Sequence, residues 1–162
     1  MDLQKMFQLQ RKLDTRIKKE HGLEEENLLD DKILALFVEI GELANETRCF
    51  KYWSEKPSSP REVVLEEFVD GVHFILSIGL ELDYDKPVEL AHSEVQGGTI
   101  TEKFLEVMEM VHTLRKTKAI EDYRNLTVSF FELGHMLGFS PSEIYDAYCK
   151  KNEVNHWRQD EG

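Results

Sequence analysis

Helical periodicity runs through this chain from end to end and leaves little room for another architecture. In "ILALFVEIGELANET", Leu36, Ile40 and Leu43 recur at steps of four and three. In "VVLEEFVDGVHFILSIG", Val64, Phe68, Gly71 and Ile75 do the same, and so do Leu3, Met6, Phe7, Gln10, Leu13 and Ile17 near the N-terminus. Such steps gather apolar side chains on one stripe of a 3.6-residue helix. No convincing two-residue alternation accompanies them. The chain is expected to be all-α, a bundle with four or more helices, with residues 1–162 as a single domain and no internal repeat.

Breaks in the pattern set the expected boundaries. Gly22 stops the first helix, and the polar run Asn27–Asp31 opens a second that extends to about Trp53. "SEKPSSPRE" is a loop, from which Ser59 caps a third helix carrying Val63 to about Leu82, with Pro60 in its first turn and Glu62 as the capping-box acid. "DYDKPVELAHSEVQGGT" reads as a connector holding at most a short helix, and its length suggests a functional segment. Thr99 or Thr101 caps a helix bearing Phe104, Val107, Met108, Val111 and Leu114. Another runs from about Ile120 to Leu137, and "SPSE" opens the last, Pro141 to about Trp157. The wide apolar arc of Phe130, Phe131, Leu133, Met136 and Leu137 fits either a dimer face or a buried central helix.

The 162 residues carry a formal net charge of −12. That disfavours a nucleic-acid polymer as partner but not a nucleotide, because a divalent cation bridges acids to phosphate. No apolar stretch approaches a membrane span, and the N-terminus shows no signal-peptide core, so a cytoplasmic protein is expected. Cys49 and Cys149 have no metal-type spacing and read as free thiols.

The acids are the informative residues. With Leu36, Ile40 and Leu43 facing the core, Glu39, Glu42 and Glu46 line the adjoining flank. With Val64, Phe68, Gly71 and Ile75 facing the core, Glu67, Asp70 and Phe74 fall on the same relative flank. Two antiparallel helices of this design direct four carboxylates, Glu39, Glu42, Glu67 and Asp70, into one cleft. Carboxylates that close repel unless cations lie among them, and oxygen ligands suit Mg²⁺ or Mn²⁺. The competing explanation is a solvated acidic surface. Ions held this way bind phosphate oxygens and activate water, and Glu42 or Glu67 is placed to take its proton.

The last helix brings the opposite sign, with Tyr148, Lys151, Asn155, Arg158 and Gln159 close to one face. Lys and Arg beside an acidic cleft suit terminal phosphates. Lys51 and Trp53 add a cation and a flat ring, the latter suited to a sugar or base or to covering a core end. Gln10 and Asp14, one turn apart, either read a base edge or face water. His73 reads as a packed or hydrogen-bonded histidine, not a ligand.

Glu39-x-x-Glu42 followed by Glu67-x-x-Asp70 resembles the metal signature of the all-α nucleoside triphosphate pyrophosphohydrolases, the MazG-like superfamily. Within it "ELANETRCFKYWS", "EEFVDGVHFILSIGLEL" and "YCKKNEVNHWRQDEG" resemble blocks of the dimeric all-α dUTPases, and the likeness spans about residues 3–159. The resemblance implies a MazG-like helical bundle with a four-helix core. It implies a homodimeric dUTP diphosphatase that hydrolyses dUTP, and dUDP, to dUMP. Water attacks the α-phosphorus, with Mg²⁺ on Glu39, Glu42, Glu67 and Asp70, and Glu42 orients or deprotonates that water. Lys151, Asn155 and Arg158 then hold the β- and γ-phosphates with help from Lys51, Gln10 and Asp14 lie near uracil, and Trp53 lies against the deoxyribose. A second subunit is implied to complete the pocket. The alternatives are a relative acting on dCTP or a modified nucleotide, and a non-catalytic helical binding protein.

Overall fold

The computed structural model describes residues 1–86 and 97–162. Among these residues are six helices and no strand: α1 (Leu3–Glu20), α2 (Leu29–Thr47), α3 (Arg61–Glu81), α4 (Ile100–Thr117), α5 (Ile120–Met136) and α6 (Pro141–Glu161). The expected connector after α3 lies largely outside the described residues.

Side-chain caps explain three of the six starts. The Asp2 carboxylate accepts from the Lys5 N–H at 3.0 Å, and the Thr99 hydroxyl accepts from the Glu102 N–H at 3.1 Å. Ser140 and Glu143 form a reciprocal capping box ahead of Pro141. Two boundaries differ from the sequence expectation. The second helix ends at Thr47, six residues before Trp53, because Arg48 takes a left-handed conformation (φ 60°). Thr47 turns its hydroxyl back to the Ala44 carbonyl at 2.8 Å and accepts the Cys49 N–H at 3.3 Å. Local bonds of this kind compete with helix continuation. Ser59 does not cap α3, whose N-cap is Pro60. The Ser59 hydroxyl donates instead to the Glu46 carboxylate, tying the loop to the end of α2.

α3 is the central element and packs against α1, α2, α5 and α6, while α4 pairs with α5 and touches α2. Its sequence is apolar almost all round, with Val69, Val72, Leu76 and Ile78 buried beside the stripe residues, as a surrounded helix requires. Against α5 the contact is reciprocal. Phe68 and Phe130 stack in parallel with centroids 4.6 Å apart. The Phe130 ring rests on Gly71 and the Phe68 ring on Gly134, each so close that a Cβ would come within 2.5 Å of the ring tip. Phe130, Phe131 and Leu133 are therefore consumed inside the chain, so the arc on α5 is that of a buried helix. No helix among the described residues is long and apolar enough to cross a membrane.

Candidate active site

The pairing of α2 with α3 can be followed side chain by side chain. At one end Lys32 meets Glu81 at 2.7 Å, and at the other Glu46 meets Ser59 just ahead of α3. Between these anchors the antiparallel register sets Glu39 and Glu42 against Glu67 and Asp70. Carboxylate oxygens of Glu39, Glu67 and Asp70 all lie within 4.8 Å of one another. Glu42, an exposed residue, completes the group on the solvent side, within the electrostatic reach of both Glu39 and Glu67.

This cluster is electrostatically unresolved by protein groups alone. Burial, followed by the charges of Asp70 and Glu42, pushes the Glu39 carboxyl up to about 8. The same causes push Glu67 up to about 7, opposed by Lys151. Burial also raises Asp70, against the pull of Lys151. One oxygen of Glu39 and one of Glu67 are buried with no hydrogen-bond partner. Buried polar atoms normally find partners, and anionic oxygens converging from two helices have the chemistry of a hard divalent cation's first shell. The donor set therefore fits such an ion.

The cation face of α6 is held over this cluster by α1. Tyr148, buried, donates its hydroxyl to Gln10 Oε1 at 2.7 Å, and Asn152 donates to the Leu9 carbonyl at 3.4 Å. Further along, Arg16 donates to the His156 carbonyl at 3.1 Å and pairs with Asp160. With α6 fixed in this way, Lys151 Nζ stands 3.3 Å from Asp70 Oδ1. Glu39, Asp70, His73 and Phe74 then share a cavity of about 300 Å³ with Lys151, Asn155, Arg158 and Gln159, floored by Ile17. That volume lies at the small end for a ligand pocket.

The structure thus brings together Glu39, Glu42, Glu67, Asp70, Lys151, Asn155 and Arg158. Gln10 and Asp14 lie behind the cavity in an internal network. Gln10 is 0 % exposed and donates to Asp14 Oδ1 at 2.9 Å, while Asp14 Oδ2 accepts from Ser77 at 2.7 Å. Lys51 and Trp53 do not line the cavity. They sit in the turn after α2, where Trp53 is 64 % exposed and packs edge-on to Tyr52 and Phe50. Sequence reasoning passed over Ser77 and Glu81, although a signal was present: Glu67, Asp70, Phe74, Ser77 and Glu81 continue one row at steps of three and four. Burial raises the Glu81 carboxyl, but Lys32, the Leu28 N–H and Lys18 outweigh it and hold it down at about 2. His73 packs edge-on against Phe74 and lines the cavity. Burial lowers it to about 4, so it is neutral, and its Nδ1 has no partner.

Among the described residues every element is a helix, an acid cluster lies between α2 and α3, and cations of α6 share its cavity. A family model described as dUTPase matches residues 2–162, essentially the whole sequence. The chain belongs to the dUTPase family and is a dUTP diphosphatase. Comparison with curated proteins gives no match.

Proposed function

We infer that the cleft hydrolyses dUTP, and dUDP, to dUMP in a Mg²⁺-dependent reaction at the α-phosphorus, releasing pyrophosphate from dUTP. The observation that carries this is the convergence of the Glu39, Glu67 and Asp70 carboxylates within 4.8 Å, with two orphaned oxygens, where Glu39 and Asp70 line a cavity together with Lys151 and Arg158. Glu39, Glu42, Glu67 and Asp70 hold the ion, with Mn²⁺ a substitute. Bound there, a divalent cation neutralises phosphate charge and lowers the pKa of a coordinated water. Glu42, on the solvent side of the cluster, orients or deprotonates the attacking water, and Glu67 is the neighbouring acid able to share that work.

Lys151, Asn155 and Arg158 bind the β- and γ-phosphates. Arg158 is exposed and free to swing inward, whereas Lys151 is already set beside Asp70. Gln10 and Asp14 belong to the uracil side, where Tyr148 and Ser77 lock their orientation. Lys51 and Trp53, in the turn past Glu42, stand at the far end of α2 from Asp14 and serve, as phosphate cation and deoxyribose platform, a nucleotide in the cleft of a second copy of the chain. The two copies form a homodimer, and the protein acts in the cytoplasm.

The test is a product-resolved assay with Mg²⁺ and dUTP, dUDP, dCTP, dTTP and UTP. Preferential conversion of dUTP to dUMP and pyrophosphate is expected. Release of orthophosphate from dUTP, or equal turnover of dCTP, overturns the assignment. Sedimentation at micromolar concentration should give a dimer, and a monomer throughout would remove the second copy from the site.

A further inference from the structure

Glu66 stands beside the cleft without belonging to the acid cluster. It precedes Glu67, so it projects about 100° around α3 from that residue. Its side chain is 60 % exposed, yet its Oε1 accepts from Lys151 Nζ at 2.8 Å. The same Nζ lies 3.3 Å from Asp70 Oδ1, one turn further along α3. The Lys151 side chain itself is only 11 % exposed. One nearly buried ammonium is therefore shared between an acid of the cleft and an acid of the rim.

Lys151 is also a partition. On one side is the cavity of about 300 Å³ that holds Glu39 and Asp70. On the other is a groove of about 500 Å³ between α3 and α6, walled by Glu66, Leu65, Val69, Ala147 and Val154. A lysine stem is flexible and its ammonium is a point charge without directional preference. Once the Asp70 carboxylate serves a cation, that cation repels the ammonium and Asp70 no longer retains it. Glu66, on the exposed rim one turn before Asp70 and outside the cluster, keeps its hold.

The geometry points to Glu66 as a positioning residue, which tethers Lys151 Nζ at the cleft wall so that the ammonium meets the terminal phosphates of the substrate and does not swing into the groove. This rests on the assignment of Lys151 to those phosphates made above.

The experiment titrates pyrophosphate calorimetrically into the full-length protein in Mg²⁺ and measures dUTP kinetics for Glu66→Gln, Lys151→Met and the double variant. Glu66→Gln is expected to weaken pyrophosphate binding and raise KM about three- to tenfold, with kcat within about twofold and the melting temperature unchanged. Lys151→Met loses more, and the double variant matches Lys151→Met alone, because the tether has nothing left to hold. Additive losses in the double variant, or wild-type binding by Glu66→Gln, overturn the tether while leaving the phosphate assignment of Lys151 standing. Wild-type pyrophosphate binding by Lys151→Met overturns both.

Discussion

Glu39 and Asp70 occupy the same cluster under different conditions. Glu39 has a buried oxygen without a partner and like charges around it, whereas Asp70 has the Lys151 ammonium at 3.3 Å. Their amide variants should therefore separate. Both Glu39→Gln and Asp70→Asn are expected to lower kcat/KM for dUTP by at least about 100-fold, as loss of an ion ligand does. In the metal-free protein, however, Glu39→Gln should melt at the wild-type temperature or above, since it removes a repelled charge. Asp70→Asn also removes a charge that burial disfavours, but it should gain less than Glu39→Gln, because the nearly buried Lys151 then keeps only Glu66. Parallel thermal melts and steady-state assays distinguish the two, and equal shifts of melting temperature in both variants would contradict this account. The four acids were legible in the sequence because helical spacing alone puts Glu39 and Glu42, and Glu67 and Asp70, beside a core stripe. Gln10 was half-legible. It shares the apolar period of α1, a signal of burial that the reading of it as base-reading or water-facing did not use, and its partner Tyr148 depends on how α6 lies across α1.

At the scale of elements, α3 and α5 approach closely because each gives up a side chain where the other presents a ring. Alanine at Gly134 would place its Cβ 2.5 Å from the Phe68 ring tip, and that ring is fully buried between Phe130 and Phe139. Neither ring can retreat. Gly134→Ala gains up to about 1 kcal/mol of helix propensity, but overpacking outweighs it, and a net loss of about 1–3 kcal/mol is expected from chemical denaturation. Gly71→Ala, pressing on the Phe130 ring, should behave alike, and a stabilised Gly134→Ala would show that the stack yields. Neither glycine has a positive φ or a turn to announce it, so the sequence marks Gly71 only as a stripe position and gives no sign of the ring above it. The end of α2 was hidden for a comparable reason. Apolar residues persist through Phe50 and Trp53, so the pattern alone extends the helix, whereas Thr47 and the left-handed Arg48 close it through local hydrogen bonds. Consequently Lys51 and Trp53 leave the acid row instead of continuing it.

For the molecule as a whole, the acid cluster makes stability depend on pH in an unusual direction. Glu39 and Glu67 titrate near 8 and 7 in the folded, metal-free protein but near 4.5 when unfolded. The folded state then binds more protons than the unfolded state, and stability falls as pH rises through that interval. His73 acts oppositely at lower pH. It titrates near 4 when folded and 6.5 when unfolded, so its contribution grows with pH until about 6.5 and then levels off. Glu81, held at about 2, contributes fully above 4.5 and loses that contribution only as pH falls towards 2. The unopposed window is therefore pH 6.5 to 8. Across it the metal-free protein, prepared with chelator, is expected to lose a few degrees of melting temperature, and a Glu39→Gln, Glu67→Gln variant should lose little or none. Mg²⁺ binds the deprotonated cluster, so the increase in melting temperature it produces should be larger at pH 8 than at pH 6.5, following the linkage between binding and folding. A melting temperature that is flat with pH in chelator, or one that falls equally in the double variant, would place the proton uptake outside this cleft. A Mg²⁺ effect independent of pH would separate the ion from these carboxylates.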